Sequence, residues 1–388
     1  MFRCLIPRVL IPREVEMNDY KRLFDGSILK LFGSSLRFAL AEPGLAWFLF
    51  RMFWRQRKTT RLRAEWEKRG IHVPPIVITS VTNTCNLHCK GCYNQALHRD
   101  TKSEIGIEKL RQIVSESLEL GVSIFMLVGG EPMTRPEILD VTKDFPNMIF
   151  PMFTNGLLID DSAIEKFSRQ KNMIPIISLE GHAGQTDQRR GFGVYSHLLK
   201  TMKKMKRKGF VWGISLTATS QNFDTVTSDK YIKELTNLGA KVFFFVEYVP
   251  VSDDMIDLAP SDVQRVSLQK LTKTFQRRFP GLFIAFPGDE ERYGGCLAAG
   301  RGFVHINAKG SLEPCPFAPY SDTSLNNLTL KEALRSDFLK TIRENHSRLA
   351  ETKGGCALWA NRVWVETILD KNSLSGKQPK KELAGTKS

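Results

Sequence analysis

From residue 75 onward, short apolar runs alternate with segments of helical period. PIVITSV (75–81) is a β-branched run that predicts a first strand. In IEKLRQIVSESLELG (107–121), Ile107, Leu110, Val114 and Leu118 fall on one helical stripe, and Gly121 is a natural stop. SIFMLV (123–128), IFPMFT (149–154) and IPIISL (174–179) predict three more strands, with helical windows near 136–145 and 161–170 between them. A helix with Val194, Leu198, Met202 and Met205 inward comes next. Strands at VWGISLTAT (211–219) and KVFFFVEYV (241–249) follow, separated by a helix over 229–238. Six strand-then-helix units imply a parallel sheet with helices outside it. Near-continuous apolar strands agree with burial on both faces. Six is fewer than the eight units of a closed TIM barrel, so the fold expected is α/β, an open, partial (β/α)6 barrel.

The two flanks of this region differ. Upstream, GLAWFLFRMFWRQRK (44–58) predicts a helix with Pro43 in its first turn. Trp47, Phe50 and Trp54 share one face of it, and Arg51, Arg55 and Lys58 another. Its apolar run of about a dozen residues is short of the ~20 needed to span a bilayer. Two readings stay open. The helix packs against the barrel, or it makes a peripheral membrane contact through residues 28–63, aromatics down and arginines on anionic head groups. Downstream, FVHIN and SLEPC predict two strands joined by a turn at Ala308-Lys309-Gly310. The expected organisation is an N-terminal helical extension (1–74), the barrel (75–285), a small α+β region (286–370) and a polar, disordered tail (371–388).

Composition changes this picture little. The chain has 388 residues, 42% hydrophobic and 25% charged, ordinary values for a globular protein with a large core. Of the net charge of +15, residues 1–70 hold a large share, with 15 Lys/Arg against 7 Asp/Glu. The basic clusters KTMKKMKRKG (200–209) and KQPKKELAGTKS carry no interleaved aromatics, so solvated faces are expected there and no nucleic-acid partner. The opening MFRCLIPRVLIPREVE has prolines and charges where a secretory signal needs an apolar core. Seven cysteines, an odd count with no disulfide-framed module, suit the reducing cytoplasm, with the inner membrane face as the site of any peripheral contact.

The cysteines carry the chemistry. CNLHCKGCY (85–93) sets Cys85, Cys89 and Cys92 directly after the first strand. Three thiols are one short for a structural zinc and cannot pair off as disulfides. A cubane of four irons takes one ligand per iron, so three thiolates leave one iron open. An open coordination position belongs to catalysis rather than scaffolding. Gly91 lets the backbone approach the cluster. A zinc site that borrows His88 is the alternative. The other notable motifs sit at the same carboxyl ends of strands, where such barrels gather their chemistry: Gly129-Gly130-Glu131-Pro132, Thr154-Asn155-Gly156 and Ser178-Leu179-Glu180-Gly181.

C-x3-C-x2-C after a first strand, with GGEP ending the second, resembles the radical S-adenosylmethionine (radical SAM) superfamily over about residues 75–285. The resemblance implies a 4Fe-4S cluster on Cys85, Cys89 and Cys92 whose open iron chelates S-adenosyl-L-methionine. It also implies an electron donor of flavodoxin or ferredoxin type, and a 5′-deoxyadenosyl radical that takes hydrogen from substrate. Gly129, Gly130 and Glu131 would then contact the methionyl ammonium, Ser178 and Glu180 would lie near the ribose, and Arg190 in DQRRG would meet the carboxylate. Asn155, with Thr154, either lines the site or closes a turn. Two departures stand out. Family members often have Asp where this chain has Glu180, and an aromatic residue where it has Gly91, which leaves Tyr93 to supply a stacking surface.

Cys296, Gly310-x4-Cys315 and Cys356 resemble the auxiliary-cluster extension called SPASM, or its shorter form twitch. A full SPASM region continues with closely spaced cysteines, but here Pro316, Phe317 and Ala318 follow. One auxiliary cluster is implied rather than two, its fourth iron open or held by another group such as His305 or substrate. Three unrelated buried thiols are the alternative, and Cys4 reads as a bystander. For substrate, the resemblance points to a peptide or protein and the basic aromatic front end to a lipid. Glu247 and Tyr248, ending the sixth strand, are candidates to face it. A non-catalytic iron–sulfur or zinc sensor is the competing function.

Overall fold

The computed structural model describes residues 20–375, apart from 22, 31–32, 34–42, 98–99, 252, 287–289 and 350–355. Cys4 and the tail from 376 lie outside the described residues. The six expected strands are β1 (Ile76–Thr82), β2 (Ile124–Gly129), β3 (Phe150–Thr154), β4 (Met173–Leu179), β5 (Gly213–Ala218) and β6 (Val242–Glu247). Three more extend the sheet: β7 (Leu282–Phe286), β8 (Phe303–Ile306) and β9 (Leu312–Glu313). Their order is β7-β6-β5-β4-β3-β2-β1-β8-β9, parallel throughout except for the β8–β9 hairpin. β7 and β9 are the two edges, so the barrel is open.

The hairpin that was expected in a separate small region instead continues the barrel, because β8 pairs with β1 from Ile76↔Phe303 to Thr79↔Ile306. The helix Arg362–Ser375 likewise runs past the expected boundary at 370, as its buried Val365 and Ile368 hold it against the fold. In the helix Ile107–Leu120 the buried set is Leu110, Ile113, Val114, Ser117 and Leu120, which leaves Ile107 and Leu118 on the margin. It ends at Gly121, whose φ of 94° is the left-handed cap that glycine adopts freely. The helix Val194–Lys208 buries the four residues expected of it.

Successive residues of a strand point to opposite faces, so Ile76, Met126, Ile174, Ile176 and Phe244 all look into the barrel. There they line a cavity of about 670 Å³. The helix Pro43–Lys68 lies across the amino ends of the strands and closes the floor of this space with Leu45, Phe48 and Leu49. Those three and Met52 are buried. At ~1.5–3 kcal/mol per buried side chain, this contact stabilises by roughly 6–12 kcal/mol before entropy is counted. Arg63 fixes the far end of the helix by donating to the Gly121 carbonyl at 2.5 Å and pairing with Asp25. Packing against the barrel is therefore the observed arrangement. The face that points away carries Trp47, Phe50 and Trp54, which are 62%, 45% and 52% exposed. Among the described residues no helix is long and apolar enough to cross a membrane.

Candidate active site at the carboxyl rim of the barrel

The rim is assembled by close backbone contacts that only glycine permits. A side chain on Gly129 would meet the Thr82 carbonyl at 2.3 Å, and one on Gly130 the Thr84 carbonyl at 2.1 Å. With those side chains absent, Gly130 N–H donates to the Thr82 carbonyl (2.7 Å) and Glu131 N–H to that of Thr84 (2.8 Å), which locks the end of β2 to the root of the cysteine loop. Glu131 is 1% exposed. Its carboxylate accepts from Thr154 Oγ1 (2.6 Å), Asn155 N–H (2.6 Å) and Met133 N–H (3.0 Å). Burial pushes its pKa up, against these three donors. Glu131 thus braces β2 to β3. Thr154 serves that brace, while Asn155 reaches onward: its Nδ2 donates to Asn86 Oδ1 (2.7 Å) and lies 3.9 Å from Cys85 Sγ.

Cys85, Cys89 and Cys92 are all half-exposed. Burial raises the thiol pKa of Cys85, and the facing thiols of Cys89 and Cys92 raise it further. Burial also raises that of Cys89, with Arg190 working against it. Three thiols within reach of one another and open to solvent on one side suit a cluster, whose binding would displace their protons. Among the described residues no three Cys, His, Asp or Glu side chains converge as a single ion requires. Gly91 has φ of 67°, and a Cβ there would come within 2.5 Å of Tyr248 Oη. Tyr248 is buried beneath the loop rather than facing an open space, and Glu247 pairs with Arg265 of the following helix.

The opposite wall is the helix Ala183–Arg190. Its end docks on the cysteine loop through Lys90 N–H to the Arg189 carbonyl (2.9 Å) and Arg189 Nε to the Lys90 carbonyl (3.2 Å). Arg190 donates to Glu180 Oε1 through Nε (2.9 Å) and Nη2 (2.6 Å), and Arg189 pairs with the same oxygen at 2.6 Å. Burial works against the charge on Arg190, but Glu180 and Cys89 outweigh it and its pKa is raised. Glu180 is 1% exposed, and its second oxygen, Oε2, has no hydrogen-bond partner among the described residues. A buried acceptor without a donor is costly unless a ligand supplies one. Arg189 and Asn86 were not singled out for the rim from sequence; the Arg189-Arg190 doublet was the one available signal.

Residues 79–245 match the Radical SAM superfamily. This part of the chain is a radical SAM domain. The AdoMet-dependent heme synthase of Methanosarcina barkeri is 23% identical to it over 315 residues, 74% of this chain and 88% of that protein. SuiB of Streptococcus suis, bound to S-adenosylmethionine, superposes with a TM-score of 0.62 at 17% identity over 79% of this chain and 78% of that one. Native anSMEcpe with bound AdoMet does so with a TM-score of 0.56 at 16% identity, over 78% and 97%. These solved structures show the same open barrel. A 4Fe-4S cluster and S-adenosylmethionine are the cofactors of an enzyme with this domain, and the match sets a sensor without turnover aside. The rim fits them: three half-exposed thiols on one short loop, a largely buried guanidinium and one buried carboxylate oxygen without a donor among the described residues.

Of the remaining radical SAM candidates, Ser178 is half-buried two residues beyond Ile176 on the inner face of β4. Tyr93 sets its ring edge-on to Phe317 at 5.0 Å, which joins the first cysteine loop to the segment after Cys315. Cys296 and Cys315 are buried and Cys356 is half-buried. They are brought together: Cys315 donates to Cys356, whose thiol pKa is lowered by that bond. Burial raises those of Cys296 and Cys315. His305 is no spare ligand for this trio. It is fully buried, with Nδ1 2.7 Å from Glu313 Oε2 and Nε2 2.9 Å from Ser80 Oγ, so both ring nitrogens are engaged.

Proposed function

We propose that this radical SAM enzyme holds S-adenosylmethionine across the rim between the Cys85–Cys89–Cys92 loop and Glu180, and removes hydrogen from a C–H bond of a substrate inside the barrel. When bound, the cofactors supply reductive cleavage of the sulfonium to methionine and a 5′-deoxyadenosyl radical. The chain supplies placement. Cys85, Cys89 and Cys92 hold three irons. Glu131 does not need to reach the ligand, since its three internal bonds hold the Gly129-Gly130 backbone where the methionyl ammonium would lie. Glu180 Oε2 accepts from a ribose hydroxyl, Arg190 presents positive charge to the methionyl carboxylate, and Ser178 faces the substrate side. The observation that carries the reading is that Glu180 pairs with Arg190 and with Arg189, which docks on the cysteine loop, and keeps a buried oxygen without a hydrogen-bond partner among the described residues.

Cys296, Cys315 and Cys356 would hold one auxiliary cluster that takes up or passes on an electron, and a flavodoxin- or ferredoxin-like protein would reduce the first. For substrate, the apolar barrel interior favours a lipid. A peptide is the second reading, supported by the likeness to SuiB, a structure of which is bound to the precursor peptide SuiA. The exposed Trp47, Phe50 and Trp54 support a peripheral membrane contact. The reconstituted protein, kept from oxygen and given dithionite and S-adenosylmethionine, is expected to form 5′-deoxyadenosine and methionine in equal amounts. Fully loaded protein that forms neither defeats the proposal.

A further inference from the structure

The barrel floor holds a second feature that the rim does not use. Its cavity of about 670 Å³ lies within the ~300–1,000 Å³ usual for small-molecule sites. The strands contribute an almost wholly apolar wall, including Ile76, Met126, Ile176 and Phe244, and the helix Pro43–Lys68 closes it with Phe48. A peptide backbone buried there would find few groups to pair with its N–H and C=O, since the uncharged polar lining is Ser27, Thr272, Gln276 and Tyr293, whose hydroxyl already donates to Ser27. The charged lining is unbalanced: Lys30, Lys171, Lys273 and Arg277 against Glu290. All four cations are exposed while every strand residue of the wall is buried or half-buried, so the charge lies on the solvent side of the lining.

We propose that this cavity binds a single-chain anionic amphiphile, its head among Lys30, Lys171, Lys273 and Arg277 and its tail in the barrel. Charge complementarity chooses the head, and the dry wall chooses the tail. Ile176 lines the cavity and Ser178 stands two residues further along the same face of β4, roughly 7 Å at strand rise. The far end of the tail therefore reaches the space beneath the rim. That last step rests on the function proposed above, whereas occupancy of the cavity does not.

The test is fluorescence titration of the cluster-loaded full chain with cis-parinaric acid, a long-chain carboxylate, without S-adenosylmethionine or reductant. Radical chemistry plays no part in this readout, so loss of 5′-deoxyadenosine formation and loss of binding are separate results. Saturable binding is expected, weakened about tenfold or more by Ile176→Trp, which fills the cavity. Lys171→Glu combined with Arg277→Glu should weaken the acid about three- to fivefold and leave its uncharged methyl ester unaffected. Unchanged affinity in Ile176→Trp overturns the proposal. So does binding to phosphatidylglycerol vesicles with none to the free acid, which would make the site a membrane surface. Should Ile176→Trp fail to fold, the exposed charge reversals decide, because an equal effect on acid and ester overturns it as well.

Discussion

Cys85, Cys89 and Cys92 come from one short loop and stay half-exposed, whereas Cys296, Cys315 and Cys356 arrive from three separate segments, the first two buried. The loop trio sits at the mouth of the barrel, where a small molecule could reach a cluster that these thiols would hold. The second trio is mostly buried, and the Tyr93–Phe317 ring contact links the segment after Cys315 to the first loop. Access suits a centre that binds a ligand, and burial suits one that holds or relays an electron without exposing it to water. On the proposed function, the same ligand type would have two uses, set by how the chain delivers it.

The sharpest way to break this contrast is to remove one thiol from each set. Cys85→Ala should reduce 5′-deoxyadenosine formation to background and lower iron by about four per chain, one cubane. Cys315→Ala should also cost about four irons per chain yet keep cleavage of S-adenosylmethionine, now uncoupled from change in the substrate. Iron analysis with product quantification checks both. Cleavage lost equally in the two variants would mean that the trios act as one centre.

A smaller effect tests how the exposed loop is held. Gly91→Ala places a side chain at φ of 67° and within 2.5 Å of Tyr248 Oη. The left-handed backbone costs ~1–2 kcal/mol and the overlap a further ~1–3 kcal/mol, so thermal stability and iron loading should both fall. Adding Tyr248→Phe removes the hydroxyl and should restore the overlap part alone. Full rescue would show that backbone strain is absent, and no rescue that Tyr248 does not support the loop.

Much of this was legible in the chain and some was not, for physical reasons. Strands β1 to β6 announce themselves because buried parallel strands are apolar without interruption, and the rim follows because GGEP, TNG and SLEG all end strands. β7 and the pairing of β8 with β1 were not legible: LFIAF is as short as any core segment, and pairing partners distant in sequence leave no periodicity to read. Residue type placed Glu131 and Glu180 at the rim but gave them similar ligand-facing roles. Their partners separate them, since Glu131 spends both oxygens inside the protein while Glu180 keeps one unpaired. The helix expected over 44–58 runs over 43–68, and packing divides it not into an aromatic and a basic face but with Leu45, Phe48 and Leu49 inward and the tryptophans and Arg51 outward.

The smallest predicted effect concerns that unpaired oxygen. Glu180→Asp, the residue family members often carry, keeps the charge between Arg189 and Arg190 but withdraws the carboxylate by one methylene. Both arginines retain a counter-ion, so the buried charges are not stranded and the fold should tolerate the change. The bond to the ribose hydroxyl would lengthen. Loss of one such hydrogen bond is worth ~1 kcal/mol, about a fivefold rise in KM for S-adenosylmethionine. The turnover number should hold, because the bond is made equally in ground and transition states. An unchanged KM would place the open oxygen of Glu180 away from the cofactor, and a fall in kcat at constant KM would move its role from binding to alignment of the reacting bond.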